Sequence, residues 1–137
     1  MNIIDFTRTA VEQFALTDNL HIDYTERSDG SCGLSPTGDV LIKEDVLGNQ
    51  TREHNFILYT VWQSQSDYDR AANSGLLLRL QYYLEKQASE QHFDGVTVKK
   101  ITCSNGMLYA VPDGNLNVGV IYQLQIKVQY EKESEAE

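Results

Sequence analysis

The stretch GVIYQLQIKVQY, residues 119–130, decides the fold. Every second residue from Val120 gives Val120, Tyr122, Leu124, Ile126, Val128 and Tyr130, and the intervening set is Ile121, Gln123, Gln125, Lys127 and Gln129. Successive side chains of a strand point to opposite faces, so this period of two makes one apolar face and one face of amides and an amine. Such a strand needs apolar cover on one side only. The pattern therefore predicts that Gln123, Gln125, Lys127 and Gln129 point away from that cover.

Two helical segments offer the cover. From Ile3 to Leu16, apolar residues at Ile3, Phe6, Ala10 and Phe14, flanked by Ile4, Val11 and Ala15, form one stripe, and Asp5 suits the first turn. Thr17-Asp18-Asn19 reads as its stop. The second segment follows Asp67 as N-cap, with Ala72, Leu76, Leu80, Leu84, Leu77 and Tyr83 on its apolar side. Gly75 in its interior predicts a bend or a close packing contact.

The rest reads as strands and turns. LHIDYTE (20–26) alternates, CGL (32–34) sits among turn formers, and Val40–Lys43 precedes a turn at Gly48-Asn49. HNFILYTVW (54–62) is apolar on both faces, as in a central strand. Asn105-Gly106 between alternating runs predicts a type I′ hairpin, and Asp113-Gly114 a second connection, so three antiparallel strands close the chain. The expected fold is α+β: a mostly antiparallel sheet with two main helices packed on one face. Residues 1–130 form the single domain and 131–137 an acidic, disordered tail.

Composition narrows the function. In 137 residues the net charge is −9, which disfavours a chain whose main task is gripping a phosphate backbone. No apolar run reaches membrane-spanning length or makes a signal peptide, so synthesis is expected in the cytoplasm, with no membrane partner. Cys32 and Cys103 read as half-buried thiols in a reducing compartment; a disulfide is open to them but not demanded. His21, His54 and His92 lack metal-ligand spacing. Asp67 and Asp69 fit helix capping better than catalysis, and Asp39, Glu44 and Asp45 read as a solvated rim. PDGNLNVGV (112–120) leads into a strand rather than a helix, so it offers no anion-binding helix terminus. No catalytic, cofactor or metal constellation emerges, and the expectation is a protein that is not an enzyme. The eight tyrosines suit either a contact surface or strands such as those of Tyr24, Tyr59 and Tyr122, whose hydroxyls reach a sheet edge.

The order of the pieces resembles the minor-capsid or tail-terminator (tail-completion) proteins of long-tailed phages and prophages. The residues that carry the likeness are HIDYTERSDGSCGL (21–34), DVLGNQTREHNFILYTVWQSQSDYDRAANSGLLLRLQYYLEKQ (45–87), KKITCSNGMLYAVPDGN (99–115) and YQLQIKVQYEKE (122–133). The resemblance implies a non-enzymatic virion protein, located at the head-proximal end of the tail and assembled in the host cytoplasm. Its partners would be itself in a six-membered ring, the tail tube protein and a head-completion or connector protein, with DNA only as passing cargo. The expected assembly surface joins the row Gln123, Gln125, Lys127 and Gln129 to the loop residues Gly48, Asn49, Gln50, Thr51 and Arg52. The turn-rich stretches Arg27–Asp39 and Asp45–Glu53 are expected to contact tube or connector, and an acidic lumen would let DNA slide. The alternatives are another head–tail connector of similar fold, or a small ligand-binding α+β domain or enzyme built around one deep pocket.

Overall fold

The computed structural model describes residues 2–14, 20–22, 32–62, 67–88, 92–110 and 120–134. The elements in chain order are α1 (Ile3–Gln13), β1 (Leu20–Ile22), β2 (Cys32–Glu44), β3 (Gln50–Trp62), α2 (Asp67–Lys86), β4 (His92–Phe93), β5 (Val96–Ala110) and β6 (Val120–Lys132). The strands form one sheet in the order β1-β2-β3-β6-β5-β4. Every pairing is antiparallel except the short one between β1 and β2. The architecture is α+β, a mostly antiparallel sheet with both helices on one face.

That face follows from β6. Tyr122, Leu124, Ile126, Val128 and Tyr130 are buried, and they share one core with Ile3, Phe6, Ala10 and Val11 of α1 and Leu77, Leu80 and Leu84 of α2. On β3 the same face carries Phe56, Leu58 and Thr60, all buried. The α1 start is fixed by a reciprocal capping box: Asp5 N donates to Asn2 Oδ1 at 2.9 Å, and Asn2 N donates to Asp5 Oδ2 at 3.0 Å. Phe6 stacks on Phe93 of β4 at 5.5 Å, and Phe14 meets Tyr83 at 5.4 Å, tying α1 to the sheet edge and to α2.

In α2 the buried stripe runs Leu77, Leu80, Leu84 and then Ala88, so Ala72 is exposed, on the flank it shares with Leu76 and Tyr83. Asp67 lies within the helix rather than before it, and the helix passes through Gly75 unbroken. A Cβ added at Gly75 would meet no atom within 4 Å, so the expected close packing contact is absent.

Three sequence expectations are corrected. Ser35–Asp39 is not a turn but part of β2. Among the described residues β1 reaches only Leu34, so from Ser35 onward no described strand flanks β2 on that side, a position where a proline such as Pro36 costs the sheet little, and the irregularity becomes a register shift between Pro36 and Gly38. Asn105-Gly106 is not a hairpin: β5 runs through it as one strand, leaving β5 and β6 where three strands were expected. Ser104 pairs with Gln125 and Met107 with Gln123, so three steps on β5 face two on β6, and the extra residue is absorbed as a bulge. The type I′ turn lies instead at Asp94-Gly95, where φ is 45° and 77°. Finally, β6 continues to Lys132, so the first two residues read as tail are strand, and Glu133 N donates to Gly95 O at 2.9 Å. The readings at Ala15–Asn19, Asp23–Ser31, Asp113-Gly114 and residues 135–137 lie outside the described residues.

Candidate assembly surface

On the face away from the helices, pairing sets residues in rows across four strands. Ser35, Ile57, Gln125 and Ser104 form one row; Gly38, Asn55, Lys127 and Thr102 the next; Val40, Glu53, Gln129 and Lys100 the third. Gln123, Gln125 and Gln129 are half-buried and Lys127 is exposed, each alternating with a buried core residue of β6. The predicted amide row therefore lies opposite the core. The face mixes signs, Lys100 and Lys127 beside Glu53 and Glu131. Toward the other end it turns apolar, with Ile57, Tyr59 and Ile121 half-buried and Val61 buried.

The second predicted patch is not one loop. Gln50, Thr51 and Arg52 are the first residues of β3, and Thr51 is buried. Only Asp45–Asn49 forms the turn between β2 and β3. Asp45 organises it: its Oδ1 accepts Leu47 N at 2.9 Å and Asn49 N at 3.0 Å, and its Oδ2 accepts Asn49 Nδ2 at 3.2 Å. Desolvation alone would raise the Asp45 carboxyl, but the donors from Asn49, Leu47 and Gly48 together hold it below its ordinary value. Asn49 Oδ1 in turn accepts Ser134 N at 2.8 Å, so the chain beyond β6 docks on the turn. This fixed turn carries Val46 at 101% and Leu47 at 75% relative exposure, and Val40, Leu41 and Ile42 of β2 lead to it, all exposed.

At the base of this arm, a polar cluster joins three strands. Asp39 of β2 accepts Arg52 Nε of β3 at 2.5 Å and the hydroxyl of Tyr130 of β6, while Arg52 Nη1 donates to Gln50 Oε1 at 2.8 Å. The Tyr130 hydroxyl is pushed up, by burial first and then by Asp39. Sequence reading placed Asp39 on a solvated rim and Tyr130 among the apolar row. Their partnership spans 91 positions and has no local signal.

Among the described residues, the remaining polar candidates are not brought together. His54 is buried against Phe56, ring centres 4.4 Å apart, and His92 sits on β4 with Nδ1 2.8 Å from Thr97 Oγ1. Cys32 and Cys103 are buried free thiols, each pushed up to about 12 by burial. Among the described residues, no three His, Cys, Asp or Glu side chains converge as a metal set, and no helix is long and apolar enough to cross a membrane. A depression of about 390 Å³ beside the arm is lined wholly by polar residues, including Lys43, Glu44, Asp45, Asn49, Glu131 and Glu133. Such a lining is unlike the mostly apolar walls of small-molecule pockets. No protein-family model matches the chain, and no curated protein matches its sequence.

Proposed function

We propose that this chain is a structural subunit of a phage or prophage particle, a tail-terminator-type ring component that caps the tail tube and contributes to the head–tail joint. Its partners in this reading are further copies of itself, the tail tube protein and a head-completion protein, with DNA as passing cargo and no reaction catalysed.

The observation that carries the reading is the β2–β3 arm. Val46, fully exposed, and Leu47, three-quarters exposed, gain little within the subunit on a turn held by Asp45 and Ser134. An ordered apolar tip of this kind marks a contact site. The polar part of the sheet face beside it, around Gln125, Lys127 and Gln129, supplies a surface of the sort that fits against neighbours in a ring.

Solution mass by light scattering, measured with and without purified tail-tube protein, tests this. The expected result is a shift to a ring-sized species on tube ends. A chain that stays monomeric and ignores tubes overturns the reading. The informative variant is Val46→Ser with Leu47→Ser, which should keep the fold and weaken capping. Deleting Gly48–Arg52 is uninformative, because it removes the start of β3 and the Arg52–Asp39 pair.

A further inference from the structure

The sheet ends in two open edges that match each other. β1 covers β2 only from Cys32 to Leu34, so Ser35–Glu44 has β3 on one side and no strand on the other among the described residues. Across the sheet, β4 covers β5 only at Val96 and Thr97, so from Val98 onward β5 has β6 on one side and no strand on the other among the described residues. The open stretches stand at the same level: Val40 shares a row with Lys100, Asp39 with Ile101, and Gly38 with Thr102. Each stretch has a bulge-free window there, Gly38–Leu41 on β2 and Lys100–Ser104 on β5.

We infer that copies of this chain join head to tail, β2 of one subunit pairing antiparallel with β5 of the next, with Val40 beside the neighbour's Lys100. The inference rests on the ring reading above and names its interface. Strand direction reverses at each step from β2 through β3 and β6 to β5. A second copy set alongside in the same orientation therefore meets β5 with β2 running antiparallel, the pairing found in strand addition.

Charge and apolar surface favour a second copy as occupant. β5 holds Lys99, which faces Glu131 of its own subunit at 4.0 Å, and Lys100, and no acidic residue, in a chain of net charge −9. The β2 side brings Glu44, Asp45 and, one strand in, Glu53 against the single lysine Lys43, Asp39 being already held by Arg52. Free edges are ordinarily guarded by charge, yet Val40, Leu41 and Ile42 stand 44–54% exposed on this one. The common level matters as well. Head-to-tail contacts close a ring only when the step between subunits carries no net rise, and a staggered edge would wind into a filament.

Paired cysteines test the interface in the full chain. Val40 and Lys100 are exposed, so Val40→Cys and Lys100→Cys leave the core alone, and buried Cys32 and Cys103 stay unreactive. A bismaleimide reaching about 8 Å spans opposite and diagonal cross-strand neighbours. It is applied to concentrated protein and to protein on tube ends. The double variant should give a ladder of trimers and larger species, and a mixture of the two single variants should stop at heterodimers. Each single variant alone should give no product. Absence of the ladder in both settings, or dimers from either single variant alone, overturns the edge pairing. Rings on tubes without the ladder remove this interface and leave the ring reading standing. A ladder from protein that ignores tubes keeps the interface and removes the tail reading.

Discussion

The hydroxyl of Tyr130 on β6 donates to the carboxylate of Asp39 on β2, reaching across β3 between them, and Asp39 accepts Arg52 Nε from that intervening strand. One carboxylate thus ties three strands at the root of the exposed arm. Tyr130→Phe removes one hydrogen bond to a charged group while keeping the ring in the core. It should lower stability by about 1.5 kcal/mol. Asp39→Ala strands both donors and should cost about 2–3 kcal/mol. Urea unfolding checks both, and an unchanged midpoint in Tyr130→Phe would show that the tie contributes nothing.

Alkaline stability should reveal the buried protons. Burial raises Cys32 and Cys103 from 9.0 to about 12, with Glu85 adding to Cys103, and raises Tyr130 above its ordinary 10.0. The folded state holds these protons more tightly than the unfolded chain. Their contribution is therefore complete below about pH 9 and is lost as pH rises toward 12 and beyond. The urea midpoint should show no loss from these groups between about pH 7 and 8.5 and should fall above that. A thiol reagent at neutral pH should label the two cysteines only as fast as the fold opens; prompt labelling would contradict their burial.

The fold class was legible because β6 and α1 each repeat one period over a long stretch. The predicted row of β6 is buried from Tyr122 to Tyr130, and in α1 Ile3, Phe6 and Ala10 are buried with the flanking Val11, while Phe14 is half-buried. The turns were less legible, since Asn-Gly and Asp-Gly carry the same local preference. Asp94-Gly95 has flanking strands with partners at hairpin distance, whereas Asn105-Gly106 lies where β5 faces β6 along its whole length, so tertiary pairing overrides its turn preference. Of the surface, the amide row followed from alternation alone. The arm did not, because Val40–Ile42, Val46 and Leu47 look like core residues until the sheet shows that nothing described packs over them. The Asp39 cluster depends on strand order, which no local pattern encodes.

Gly75 offers a stabilising substitution. It lies exposed inside α2 with open space where a Cβ would project. Gly75→Ala should therefore add up to about 1 kcal/mol through helix preference and the reduced freedom of the unfolded chain. Thermal melting should register a rise of about 2–5 °C. A fall would show that the position needs glycine for a contact outside the helix.

Gly48 carries two separable demands. Its φ of 87° lies where a side chain is strained, and an added Cβ would stand 2.8 Å from Ser134 Oγ and 3.3 Å from Ser134 Cβ. Gly48→Ala should cost about 1–2 kcal/mol by backbone strain, and more where Ser134 cannot move aside. Ser134→Gly removes the contact but not the strain, and it keeps the N–H that Asn49 Oδ1 accepts. The double variant Gly48→Ala, Ser134→Gly should therefore be more stable than the sum of the single effects allows, by the part due to the clash. Strict additivity in urea unfolding would mean that Ser134 does not rest on the turn, and the arm would lose the splint that holds Val46 and Leu47 in place.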